Sequence, residues 1–167
     1  EFLPEINDND GLYDIYIDQL SNGQYGWNCL DSDGSGSSWI EIDDNYEGSS
    51  YTTTGEDAMK ITIAHEFFHA VQRAYLPASN YNDFFFELSS MWIEDIVYPD
   101  INDYINSGWT EKFFNHPHML SNIQDTNGYS IGLYMHYLTK KIAGNDNQII
   151  QDIWEKFEIN NDPLASI

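Results

Sequence analysis

Alternation of apolar and polar positions dominates the first part of the chain. Residues 12–18, Leu-Tyr-Asp-Ile-Tyr-Ile-Asp, are rich in β-formers and predict a strand. Ser21-Asn22-Gly23 predicts a turn, and Tyr25-Gly26-Trp27 the start of a second short strand. Ser38-Trp39-Ile40-Glu41-Ile42-Asp43 alternates again and predicts a third. After the polar connector Gly48 to Gly55 the pattern becomes helical. Thr54 reads as an N-cap, with Asp57 as its capping-box acid. From there to about Tyr75 the residues Ile61, Ile63, Ala64, Phe67, Phe68, Ala70 and Val71 make the segment apolar almost all round. That predicts a central, buried helix, ended by Pro77 and Asn80.

Residues 83–98 predict a second apolar helix, carrying Phe84 to Phe86, Leu88, Met91, Trp92, Ile93, Ile96 and Val97 and stopped by Pro99. Residues 102–115 read as shorter, broken helical pieces, and His116-Pro117-His118 as a turn. Residues 129–143 predict a helix closed by Gly144. Residues 146–158 predict an amphipathic one, with Ile149, Ile150, Ile153, Trp154 and Phe157 near one stripe. Strands precede helices, so the expected class is α+β. The expectation is a single domain over 1–167, with a small antiparallel or mixed sheet in 1–54 and a helical bundle in 55–167.

Composition narrows the class. With 167 residues, 41% hydrophobic and 16% aromatic, the chain suits one packed domain. It contains no apolar run of transmembrane length. It opens without Met at Glu1-Phe2-Leu3-Pro4 and closes on Leu164-Ala165-Ser166-Ile167, which suggests a piece of a longer polypeptide. A formal net charge of −22, with Arg73 the single arginine, repels phosphate backbones and disfavours nucleic acid and anionic membranes as partners. Oligomeric state is not legible. Cys29 is the lone cysteine, so no internal disulfide forms. Asp31-Ser32-Asp33-Gly34 looks like the first part of a Ca²⁺ loop, but the downstream bidentate acid is not evident, and an Asp/Gly turn is the simpler reading.

Inside the first predicted helix stands His65-Glu66-Phe67-Phe68-His69. Residues four apart share a helix face, so both imidazoles can reach one Zn²⁺. Glu66 follows the first histidine and can take a proton from water activated there. Two histidines and a glutamate are costly to bury unless paired or coordinated. A catalytic zinc takes three protein ligands. Gln72 and Tyr75 occupy the places of the Gly and third His of the longer metzincin motif, so a carboxylate is expected instead. Glu87 and Glu94, seven apart on one face of the next helix, are the candidates; one can bind metal while the other orients a histidine.

Ala64 to Gln72, A-H-E-F-F-H-A-V-Q, followed by Phe86-Glu87-Leu88-Ser89-Ser90-Met91-Trp92-Ile93-Glu94-Asp95, resembles the gluzincin metallopeptidases. It also resembles bacterial, mostly extracellular metalloproteases of large multidomain chains with A-H-E-F-F-H-A-x-Q and W-x-E-D-x-V-Y segments. The likeness spans roughly residues 12–158. It implies a zincin-like fold, an extracellular or cell-surface location, and Glu87 as third ligand, eighteen residues beyond His69. It also implies Tyr129, in Tyr129-Ser130-Ile131-Gly132, as donor to the developing oxyanion. Leu88 departs from the Gly that usually follows the ligand Glu. The G-x-M-E-N segment that holds a substrate N-terminus in aminopeptidases is absent; the corresponding strand reads Gly36-Ser37-Ser38-Trp39-Ile40-Glu41.

The expectation is therefore a zinc-dependent endopeptidase rather than an aminopeptidase, acting on a peptide or protein substrate. His65, His69 and Glu87 hold the metal, Glu66 is the general base, and Tyr129 is the oxyanion donor. His118 is an alternative donor, and the strand 38–43 is expected to align the peptide. The competing classes are a non-catalytic zincin-like module that keeps zinc and a metal-free helical interaction domain. An intact Glu66 argues against the first, because a structural zinc needs no general base.

Overall fold

The computed structural model describes residues 11–21, 23–32, 35–76, 83–116 and 127–160. The architecture is α+β: a three-stranded mixed sheet and, among the described residues, six α-helices. The strands are β1 (Ile15–Asp18), β2 (Gly26–Leu30) and β3 (Ser38–Asp43), in the order β1-β3-β2. β3 pairs parallel to β1, with Ile15 opposite Ile40, and antiparallel to β2, with Asn28 opposite Ile40. The alternation of β3 delivers Ile40 and Ile42 to a core shared with Tyr46 and Ala58. Its central position corrects one expectation. β3 has a neighbour on each side and offers no open edge for a peptide; among the described residues the edges belong to β1 and β2.

Helix α1 (Gly55–Tyr75) has the expected bounds but not the expected cap. Thr54 holds the N-cap position with extended backbone, yet its side chain makes no cap bond. The Gly55 N–H instead donates to the Tyr46 carbonyl at 3.4 Å, and Asp57 pairs with Lys60. The face that α1 buries mixes apolar with polar residues. Its buried residues are Ala58, Ile61, Thr62, His65, Glu66, His69, Ala70, Gln72 and Arg73, while Ile63, Phe67, Phe68 and Val71 are only half-buried. Those positions recur at the helical period, so one polar stripe has been turned inward.

Two units emerge from the packing, one of Glu1–Ser79 with Ile93–Asp103, the other of Asn80–Trp92 with Tyr104–Ile167. The division falls inside α2 (Asp83–Val97), a single unbroken helix. The first unit holds the sheet and α1. The second holds α4 (Trp109–Asn115), α5 (Asn127–Tyr137) and α6 (Gln148–Asn160). The short α3 (Asp103–Asn106) and α4 are the expected broken pieces, separated at Gly108, whose φ of 80° breaks the helix. α5 runs into a π-helical turn, Leu138–Ile142, before Gly144 closes it with φ 67°. The stripe of α6 is buried at Ile150, Ile153, Trp154 and Phe157, with Ile149 half-buried, and Trp154 and Phe157 close on Phe85 at 4.9 and 5.2 Å between ring centroids. No described helix is long and apolar enough to cross a membrane.

The turn between β3 and α1 is fastened by one carboxylate. Asp43 is 3% exposed. It accepts hydrogen bonds from the N–H groups of Asn45, Tyr46 and Leu20 and from the Tyr51 hydroxyl. Burial alone would raise its pKa, but these donors reverse the effect and hold it below the usual carboxylate value. They also hold Tyr46 at φ 53°, a left-handed conformation that costs an aromatic residue free energy. A depressed pKa contributes stability at pH values above that of the unfolded carboxyl, about 3.9, and the contribution is lost as pH falls through the folded value. Asp43→Asn removes the charge and turns an amide N–H toward donors. It is expected to lower unfolding free energy by about 3 kcal/mol at pH 7, and the gap to wild type should shrink near pH 3. Urea unfolding at the two pH values measures both.

Candidate metal centre

The site begins with how closely α1 can lie on β2. A side chain at Gly26 would bring its Cβ to 2.6 Å from Thr62 Cγ2 and 3.4 Å from Glu66 Cγ, so only glycine leaves room for the helix here. Two residues on, Asn28 donates from Nδ2 to the Glu66 carbonyl at 3.3 Å and to the Tyr13 hydroxyl at 2.9 Å. Tyr13 in turn bonds Ser38 Oγ at 2.8 Å. Burial pushes the Tyr13 hydroxyl up to about 12, so it stays protonated within this network. The turn of α1 that carries Glu66 is thus pinned to the sheet through its backbone.

On the inward face His65 and His69 are both buried, their rings 4.8 Å apart and nearly perpendicular. Each ring nitrogen Nδ1 faces an oxygen. His65 Nδ1 lies 2.6 Å from Glu94 Oε1, and His69 Nδ1 lies 2.7 Å from Gln72 Oε1. A carboxylate and an amide oxygen accept, so in these bonds Nδ1 carries the proton. The neutral imidazole then has its lone pair on Nε2, the arrangement that metal-binding histidines adopt. Among the described residues one group of three metal-competent side chains comes together. One ligand atom from each of His65, His69 and Glu87 lies within 4.8 Å of the others. Two neutral imidazoles and a carboxylate form a donor set suited to zinc. Glu94, the other candidate glutamate of α2, is the one bonded to His65.

No family model matches the chain, and neither the curated proteins nor the solved structures give a match.

The remaining residues fall as follows. Glu66 is buried, directly after His65. Tyr129 stacks on Trp109, with ring centroids 5.3 Å apart and planes 24° from parallel. The preceding residue, Gly128, approaches so closely that a Cβ there would meet Glu87 Cβ at 2.5 Å. His118 lies outside the described residues, as do Asp33 and Gly34 of the acidic Ca²⁺-like segment. His116 is exposed, and His136 is buried with its ring stacked on Tyr104. Burial raises the Cys29 thiol to about 11, which leaves no thiolate nucleophile at neutral pH. Sequence reasoning had no role for Gln72. The available signal was its spacing: three residues beyond His69, it shares that histidine's helix face.

Proposed function

We propose that this chain is a zinc-dependent metallopeptidase of the gluzincin kind, cleaving within peptide or protein chains. One observation carries the reading: two buried histidines one turn apart each engage an acceptor through Nδ1, leaving Nε2 as the ligand atom of both. Glu87 supplies the third ligand. A zinc ion held there would supply Lewis acidity, making water a nucleophile near neutral pH and polarising a carbonyl. Glu66 accepts the proton of the attacking water and delivers it to the leaving amine. Tyr129 donates a hydrogen bond to the oxyanion that develops on the scissile carbonyl, a contribution worth about 2.7–4 kcal/mol for a single donor in comparable sites.

β2 replaces β3 as the strand for an extended substrate to add to. It is an edge strand among the described residues, and its Gly26 lies against Glu66. Zinc analysis after reconstitution, followed by digestion of a broad peptide library, tests the proposal. About one zinc per chain and cleavage at internal bonds are expected. Absence of bound zinc sinks the metal reading. Stoichiometric zinc without cleavage leaves a binding module that keeps its metal.

A further inference from the structure

Gln72 is a fully buried polar side chain to which the proposed reaction gives no task. It is 1% exposed and sits one turn beyond His69 on α1. Burying an amide is unfavourable unless it is hydrogen-bonded, and a methionine would fill the same volume without that cost. Its Oε1, 2.7 Å from His69 Nδ1, gives a reason for glutamine. An amide oxygen is an acceptor only, so this contact selects one tautomer of His69. The partner comes from the same helix, three residues along, so this hold on the ring is internal to α1. His65 is treated differently: its partner is the carboxylate of Glu94, reached from α2. One imidazole is therefore backed by an ionisable acid and the other by a neutral amide.

We infer that Gln72 is a positioning residue for the metal, holding His69 as the Nδ1–H tautomer with Nε2 presented to the cation. It does so with a neutral group at a centre to which Glu66, Glu87 and Glu94 already bring carboxylates. The inference rests on the zinc reading above, and the experiment separates the two. Zinc dissociation constants are measured by competition with a chromophoric chelator for wild type, Gln72→Met and Gln72→Glu, with urea unfolding of each metal-free protein alongside. Gln72→Met should weaken zinc about 10–100-fold, the usual cost of losing a histidine's outer partner, whereas Gln72→Glu keeps an acceptor and should stay within about threefold of wild type or bind more tightly. A packing role alone predicts the reverse order, because methionine suits a buried site and a new carboxylate does not. Unchanged zinc binding by Gln72→Met, or an equal loss in both variants, overturns the role of Gln72. If the methionine variant does not refold, the glutamate variant decides, and a loss beyond about tenfold overturns the role. A wild-type protein that takes up no zinc overturns the metal reading itself.

Discussion

Glu66→Gln is expected to slow peptide cleavage by roughly 10²–10⁴-fold while leaving zinc content and fold intact. Gln matches Glu in size but cannot take a proton from water at neutral pH, so the loss falls on the chemical step. General-base catalysis contributes roughly 10²–10⁴-fold, and kcat should fall by that factor with little change in KM. The fold should tolerate the exchange for a specific reason. What ties this turn of α1 to the sheet is the backbone carbonyl of Glu66, which accepts from Asn28 Nδ2, and the missing side chain of Gly26. Neither involves the carboxylate. Equal cleavage of a peptide library by wild type and variant would remove Glu66 from the mechanism. A variant that loses zinc as well would show that the carboxylate serves the metal rather than the proton.

How far the sequence could reach depended on what each pattern encodes. β3 was legible over Ser38–Asp43 because alternation reports which residues share a face. It does not report neighbours in the sheet, and so the central place of β3 between a parallel and an antiparallel partner was not legible. α1 was legible in its bounds but not in its orientation. With apolar residues on every side, its periodicity could not say which stripe turns inward, and the structure turns in the stripe of His65, Glu66, His69, Gln72 and Arg73. Within the candidate site, the i,i+4 histidines and the seven-residue spacing of Glu87 and Glu94 could be read because helix geometry converts spacing into proximity. Asn28 and Gly26 could not, since their importance arises only when β2 folds against α1. The Thr54 capping box does not form; the Gly55 N–H donates to the Tyr46 carbonyl and Asp57 pairs with Lys60.

Glu87→Ala and Glu94→Ala are expected to separate ligand from supporting partner, although both remove a carboxylate from the same helix. Glu94 holds His65 through Nδ1, and loss of such a partner typically weakens metal binding about 10–100-fold. Glu87 is the proposed third ligand, so its loss should cost more than that and leave two imidazoles to bind zinc alone. Alanine at 87 keeps the Cβ that Gly128 approaches. Thermal unfolding provides a second measure. Zinc at about 100 times its dissociation constant stabilises a protein by roughly 2.7 kcal/mol, so wild type should melt higher with zinc. Glu94→Ala should recover that shift at higher zinc, and Glu87→Ala should show little of it at concentrations that saturate wild type. The opposite ranking, with Glu94→Ala unable to bind and Glu87→Ala close to wild type, would move the third ligand to Glu94. His65 would then need another outer partner, and the hydrogen bond at 2.6 Å would have to break when the metal binds.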